Sequence, residues 1–331
     1  MKPKVIFATN LLVGAALLGF VLAQYGAPAL EILAAAVSAP LLAAFVAVLA
    51  ATVVSLSWRW GYVLSGLCQP PALPLLTLYR SAAHSLAVLV PSGKVGGDPL
   101  RAWLAVRDGV AAGKAIASVV VDRTLELASN SPFSIIFAVL LIQHGIPQLE
   151  RALVTVGVAT LGLALGVAVA VFRLRRGIGL VIPLVRSMRL DRLRAIDQRM
   201  DVVADSDAAA ARLVNQPLRM LGAFAAGIVS NLLVIAEFAL LLWAFGLPTD
   251  LTAVVAVIFA TSAAHMLPIP AGIGVLEGAN MWLFQMLGYP TDVGLAVGLA
   301  ARLRELIWML PGLAFLLTGS LRSTLSRLQE P

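Results

Sequence analysis

The sequence predicts an all-α polytopic membrane protein, with about six full transmembrane helices plus two re-entrant hairpins arranged as an inverted repeat. Three observations predict it. Hydrophobic residues make up 60% of the chain and charged residues 12%, with a mean hydropathy of +0.94, whereas a soluble domain carries roughly 25% charged residues. The same unusual stretch occurs twice, as P-S-G-K-V-G-G-D-P-L-R-A-W-L from Pro91 and as P-A-G-I-G-V-L-E-G-A-N-M-W-L from Pro270. The basic residues sit mostly in the gaps between apolar runs, the pattern of orientation in a bilayer.

A gap-free shift of 179 residues lays Pro91 on Pro270, Gly93 on Gly272, Trp103 on Trp282, Arg123 on Arg302, Glu126 on Glu305 and Pro132 on Pro311, with Asp98 over Glu277. Matched Ala and Leu are expected by chance in such a composition, but matched Pro, Gly, Trp, Arg and Glu in one register are not. The chain therefore reads as an internal duplication, residues 1–146 forming one unit and 147–331 the other. The tetrapeptide S-A-A-H precedes both copies, ending in His84 and His265.

Taken in order, two lysines precede an apolar run from Val5 to about Ala23, long enough for a first span. A second runs from about Pro40 to Ser57 and is closed by Trp58, Arg59 and Trp60, read as an interfacial belt that places both ends of the pair on the cytoplasmic side. Residues 73–108 form the first hairpin, broken at Pro91, Gly93, Gly96 and Gly97 and flanked by Arg80, Arg107 and Lys114. A span from Ala111 to Ile142 passes through Pro132 as a kink, and another runs from Ala152 to Phe172.

The segment 174–217 is basic, with apolar positions from Val185 to Val203 spaced as in an amphipathic helix on the inner leaflet. A fifth span, Leu218 to Phe245, contains Glu237. No lysine or arginine occurs from Leu251 to Ala301, so the second hairpin, turning at Pro270, Gly272 and Gly274, enters from the outside. The sixth span, Val293 to Leu317, returns to a cytoplasmic C-terminus. Three crossings separate equivalent points of the two units, an odd number, which makes the repeats inverted.

The chemistry gathers at the hairpins. Broken helices at membrane depth are tolerated only inside protein or along a wet cavity, and half-helix N-termini there suit an anion. Asp98, Arg101, Arg123, Glu126, Glu277, Arg302, Arg304 and Glu305 are the candidate substrate-binding residues. A charge at the bilayer centre costs about 2.5–3.5 kcal/mol even on the lenient scale, so these side chains should face one another or water. Arg123 with Glu126, and Arg302 with Glu305, are spaced for local bridges that could equally act as structural clasps or hold a phosphate. His84 and His265 are hairpin packing residues or a proton relay. One cysteine and three histidines without zinc-site spacing leave no metal constellation, and there is no Walker motif, so no metal or cofactor is expected. An intramembrane enzyme using Asp98 and Glu277 would lack a nucleophile, and the chain is not expected to be an enzyme.

The motifs P-S-G-K-V-G-G-D-P-L-R-A, V-V-V-D-R-T-L-E-L, L-P-I-P-A-G-I-G-V-L-E-G-A and A-A-R-L-R-E-L-I-W resemble the lysylphosphatidylglycerol synthase transmembrane, or flippase-like domain, family. The resemblance covers most of the chain and is to a stand-alone member without the aminoacyl-transferase domain, with the hopanoid-associated branch as one place for it. It implies movement of a phospholipid or related polar lipid across the bacterial inner membrane. The implied partners are that lipid and a lipid-biosynthetic enzyme, not nucleic acid. The alternative is a non-transporting lipid-binding or accessory subunit.

Overall fold

The computed structural model describes residues 3–35, 37–89, 96–143, 147–179, 200–267 and 269–329. Eleven α-helices and one 3-10 turn make up the ordered elements among them, and no strand occurs among the described residues. Five helices hold segments long and apolar enough to cross a membrane. These are α1 (Pro3–Ala35), α2 (Ala39–Leu64), α5 (Ala112–Gln143), α6 (Pro147–Arg175) and α8 (Pro217–Ala244). The helix α11 (Thr291–Gln329) has ample length for the sixth expected span. It carries Arg302, Arg304 and Glu305 close together, as α5 carries Asp122, Arg123 and Glu126.

The first helix does not stop at Ala23 but runs through Gly26, Pro28 and Glu31 to Ala35. A second difference concerns the aromatic and basic belt. Trp58 is exposed, but Arg59 and Trp60 are buried and belong to the interior, since α2 extends a further turn and more beyond Ser57 to Leu64. Pro132 lies within the continuous α5 and not in a loop.

Each glycine- and proline-broken stretch is a pair of short helices. The first comprises α3 (Leu73–Leu89) and α4 (Gly97–Arg107), and the second comprises α9 (Leu251–Met266) and α10 (Val275–Met286) with the 3-10 turn Pro270–Gly272 between them. In both, the two arms pack against each other. Pro91 and Gly93 lie outside the described residues, as does most of the amphipathic segment. Its end is α7 (Met200–Val214), which packs on α5 and α6.

Three apolar clusters organise the interior. Trp60, Leu64, Tyr79, Leu104 and Ala115 enclose the first hairpin between α2 and α5. Phe45, Leu241, Val255, Leu276, Phe284 and Leu295 enclose the second between α2, α8 and α11. The third joins α7 to α2, α5 and α8 through Val63, Val121, Leu213 and Ala223. α11 packs along both α3 and α10, so one long helix touches an arm of each hairpin. Ser85 fixes part of that contact by donating to the Met309 carbonyl at 2.9 Å. At the far end, Asp250 caps α9 through the Ala253 N–H and accepts from the Tyr289 hydroxyl at 2.8 Å, tying the start of the second hairpin to its exit loop.

Candidate functional site

The predicted charges converge into networks, and four residues outside the expected set, Arg59, Arg80, Asp122 and Glu237, complete them. At the first hairpin, Asp122 on α5 is the hub. Its carboxylate accepts from Arg59 Nε at 2.8 Å, Arg80 Nη1 at 3.1 Å and Arg101 Nη1 at 2.8 Å. One turn along, Glu126 accepts from Arg59 at 3.0 Å, Arg80 at 2.7 Å and Arg123 at 2.8 Å. Asp98, at the start of α4, reaches Arg101 at 3.1 Å and Arg123 at 3.8 Å.

Helical spacing explains this convergence. Asp122 and Glu126 lie four apart and share one face of α5, and that face receives an arginine from α2, from α3 and from α4. Planar guanidinium forks can serve two carboxylates at once, which suits Arg59 and Arg80 to bridging. Arg101 is further held over the Trp60 ring at 5.0 Å, and the indole donates to Ser118 Oγ at 3.1 Å. Four arginines, 59, 80, 101 and 123, face three carboxylates, 98, 122 and 126, so four minus three leaves one positive charge. The exposed edge is Arg123 at 32% and Asp98 at 24%, while Asp122 is at 0%.

At the second hairpin, Arg302 meets Glu277 through two parallel bonds of 2.9 and 3.1 Å. The same guanidinium donates to the Ala271 carbonyl and, at 3.1 Å, to the Gly272 carbonyl. Glu277 also accepts the Gly274 N–H at 2.9 Å and so caps its own helix. The turn needs this grip because Ala271 has φ 53 and Gly272 φ 57, with Gly274 at φ 76. That is left-handed backbone which glycine adopts freely and alanine does not.

Arg123 with Asp98 and Arg302 with Glu277 are the residues that the sequence register superposes, and each pair joins a hairpin's second arm to the long helix that follows it. The local bridge expected between Arg123 and Glu126 is present at 2.8 Å. Arg302, by contrast, turns its guanidinium to Glu277 and the turn carbonyls, and the arginine on Glu305 is Arg304, at 3.2 Å. Arg304 also bonds Glu237 of α8 and lies over the rings of Phe238 and Trp308 at 4.7 and 5.0 Å.

Both repeated histidines reach the same carboxylate. His84 Nε2 lies 3.3 Å from Glu305 Oε2 and His265 Nε2 lies 3.6 Å from it. His84 stacks on Trp308 at 4.1 Å between ring centroids. The expected set thus comes together at the hairpins, while Arg59, Arg80, Glu237 and Asp122 lie outside it. A polar residue four before another on one helix, as Asp122 is to Glu126, was the available signal for the last.

Two charged, broken-helix hairpins packed among long apolar helices define a polytopic α-helical membrane protein. The family model of the lysylphosphatidylglycerol synthase TM region matches residues 7–312. The chain belongs to that family, whose name ties it to lipid-related pathways of the membrane. No curated protein matches it.

Proposed function

We propose that the protein is a lipid transporter that moves a phospholipid or related polar lipid across the bacterial inner membrane, the head group passing between the two hairpins while the acyl chains remain in lipid. The observation that carries this is the first network, a buried arginine cluster with one positive charge in excess whose accessible edge is the Arg123 and Asp98 pair. An excess cation held in apolar surroundings favours an anionic group far more than the same charge in water would. An apolar cleft lined by Val120, Thr124 and Leu125 of α5 and by Val167 and Val171 of α6 runs along the helix that carries Arg123, which suits an acyl chain beside the head group. Both termini are taken as cytoplasmic, and no chemical transformation is assigned to the chain.

A second reading, a lipid-binding or accessory subunit that transports nothing, is favoured by one observation. Arg59, Arg80, Arg101, Arg123, Arg302 and Arg304 each have a carboxylate partner, as structural clasps require. Leaflet exchange of fluorescent lipids with varied head groups in proteoliposomes separates the two. Exchange by the parent that is lost in folded Arg123→Gln and Glu277→Gln variants supports transport. Binding of lipid without exchange under any ion gradient supports the accessory role.

A further inference from the structure

We propose that one edge of the Arg101 guanidinium is the seat of the lipid's phosphodiester, and that Asp98 is a placeholder carboxylate which that phosphate displaces. The proposal rests on the lipid-transport reading for its ligand and on the geometry of the first hairpin for its place.

Arg101 is 3% exposed, yet it uses only part of its fork. Nη1 donates to Asp122 at 2.8 Å, whereas Nε and Nη2 make no hydrogen bond among the described residues. Those two nitrogens form the side of the guanidinium that presents two parallel N–H groups. The second hairpin shows what such an edge holds. There Arg302 uses Nε and Nη2 to grip both oxygens of Glu277, at 2.9 and 3.1 Å. Asp98, the counterpart of Glu277 in the duplication, is one methylene shorter and closes no edge in this way. Its Oδ1 lies 3.1 Å from Arg101 Nη2 and its Oδ2 lies 3.8 Å from Arg123 Nε, so one carboxylate is shared loosely between two cations.

The surrounding structure faces the same spot. Helical side chains lean toward the N-terminus, so Arg101 reaches back over the first turn of α4, where Asp98 stands. Gly96 begins that helix without a side-chain cap, and the positive end of the helix adds to the attraction for an anion. The Trp60 ring, 5.0 Å from the guanidinium, holds its plane in place. Asp98 and Arg123 are the accessible edge of the network, so the approach to the buried fork passes between them, and a turn of the Asp98 side chain opens it.

A phosphodiester carries two non-bridging oxygens and one negative charge. It can meet Nε and Nη2 together, as Glu277 meets those of Arg302. Exchanging one monoanion for another leaves the charge of the network unchanged while giving two buried donors the hydrogen bonds that Asp98 does not supply. Recognition then falls on the phosphate and not on the group beyond it. The ligand class is a glycerophospholipid of varied head group, and a polar lipid without phosphate is excluded.

Thermal unfolding of the whole chain in detergent, titrated with dihexanoylphosphatidylglycerol, reads the site without any transport. The parent should be stabilised by it, and not by dihexanoylglycerol carrying glucose in place of the phosphate. Arg101→Lys keeps a cation beside Asp122 but has no fork, and its affinity should fall about tenfold or more. Asp98→Asn removes the competing charge and should bind the phospholipid several-fold more tightly, the reverse of what loss of a ligand contact would give. Equal stabilisation of the parent by both lipids, or weaker binding by Asp98→Asn, overturns the proposal, and both outcomes can be read even if Arg101→Lys fails to fold. Inorganic phosphate binding as tightly as the phospholipid gives the edge to a soluble anion and overturns the lipid as its ligand. Binding as expected beside a parent that exchanges no lipid in proteoliposomes upholds the site and sinks the transport reading. Exchange of both lipids at one rate upholds transport and sinks the site.

Discussion

Arg59 and Asp122, 63 residues apart in sequence, meet at 2.8 Å with side chains 1% and 0% exposed. The contact joins α2 to α5 and sets the position of everything else in the first network. Asp122→Ala leaves Arg59, Arg80 and Arg101 without their common acceptor. Removing one member of a buried ion pair costs about 3–5 kcal/mol, so the variant should show a large fall in thermal stability in detergent, or fail to accumulate.

Arg123 behaves differently because it lies at the accessible edge. Arg123→Gln removes a cation without stranding a fully buried carboxylate, since Glu126 keeps Arg59 and Arg80. Stability should change little, while lipid exchange falls roughly ten- to a hundredfold, the value of one charge-assisted hydrogen bond. Thermal unfolding and exchange measured on the same preparation check both halves.

The second turn offers a gain. Ala271 sits at φ 53, and Ala271→Gly relieves that backbone without touching the carbonyl that Arg302 holds. The expected change is a stabilisation of up to about 1 kcal/mol. Gly97→Ala should do the opposite, because a Cβ there would press into the Ala83 carbonyl across the hairpin. Overpacking of that kind costs about 1–3 kcal/mol, and the melting temperatures of the two variants should move in opposite directions.

Cys68, the single cysteine, lies in the loop after α2 and is partly exposed. Burial pushes its thiol above the ordinary value, with Lys114 pulling the other way. The thiolate is the reactive form, so labelling by a membrane-impermeant maleimide should be slower than for a free thiol at neutral pH and accelerate as pH rises through the raised value. With the proposed orientation, inverted vesicles should label and intact spheroplasts should not.

Much of this fold was legible because apolar run length and Gly/Pro punctuation are local properties. The limits of both hairpins and of α5, α6 and α8 follow from them within a few residues. Helical spacing made the Arg123–Glu126 bridge legible, but it also pointed Arg302 to Glu305, whereas its guanidinium meets Glu277 across the hairpin; the duplication aligned Asp98 with Glu277 without assigning either to its arginine. Arg59 was read as an interfacial residue because a basic residue between two tryptophans at the end of an apolar run has the same local signature whether it meets head groups or a buried aspartate. Its partner lies on another helix, and no spacing rule reaches that far. Arg80 was taken as a flank for the same reason, and that removes two residues from the positive charge that orients the chain.

The ion pairs of α11 also bear on how the chain is assembled. Arg302 and Arg304 find their partners on α10 and α8, and Glu305 finds His84 and His265 on α3 and α9, all of which precede α11 in order of synthesis. Glu237 and Glu277 therefore enter the bilayer before their arginines exist. Until α11 arrives, the nascent protein holds two acidic side chains that must stay hydrated, protonated or sheltered by the insertion machinery. Docking of α11 then acts as the latch on biogenesis, and a ribosome stalled before it should leave a chain prone to membrane quality control.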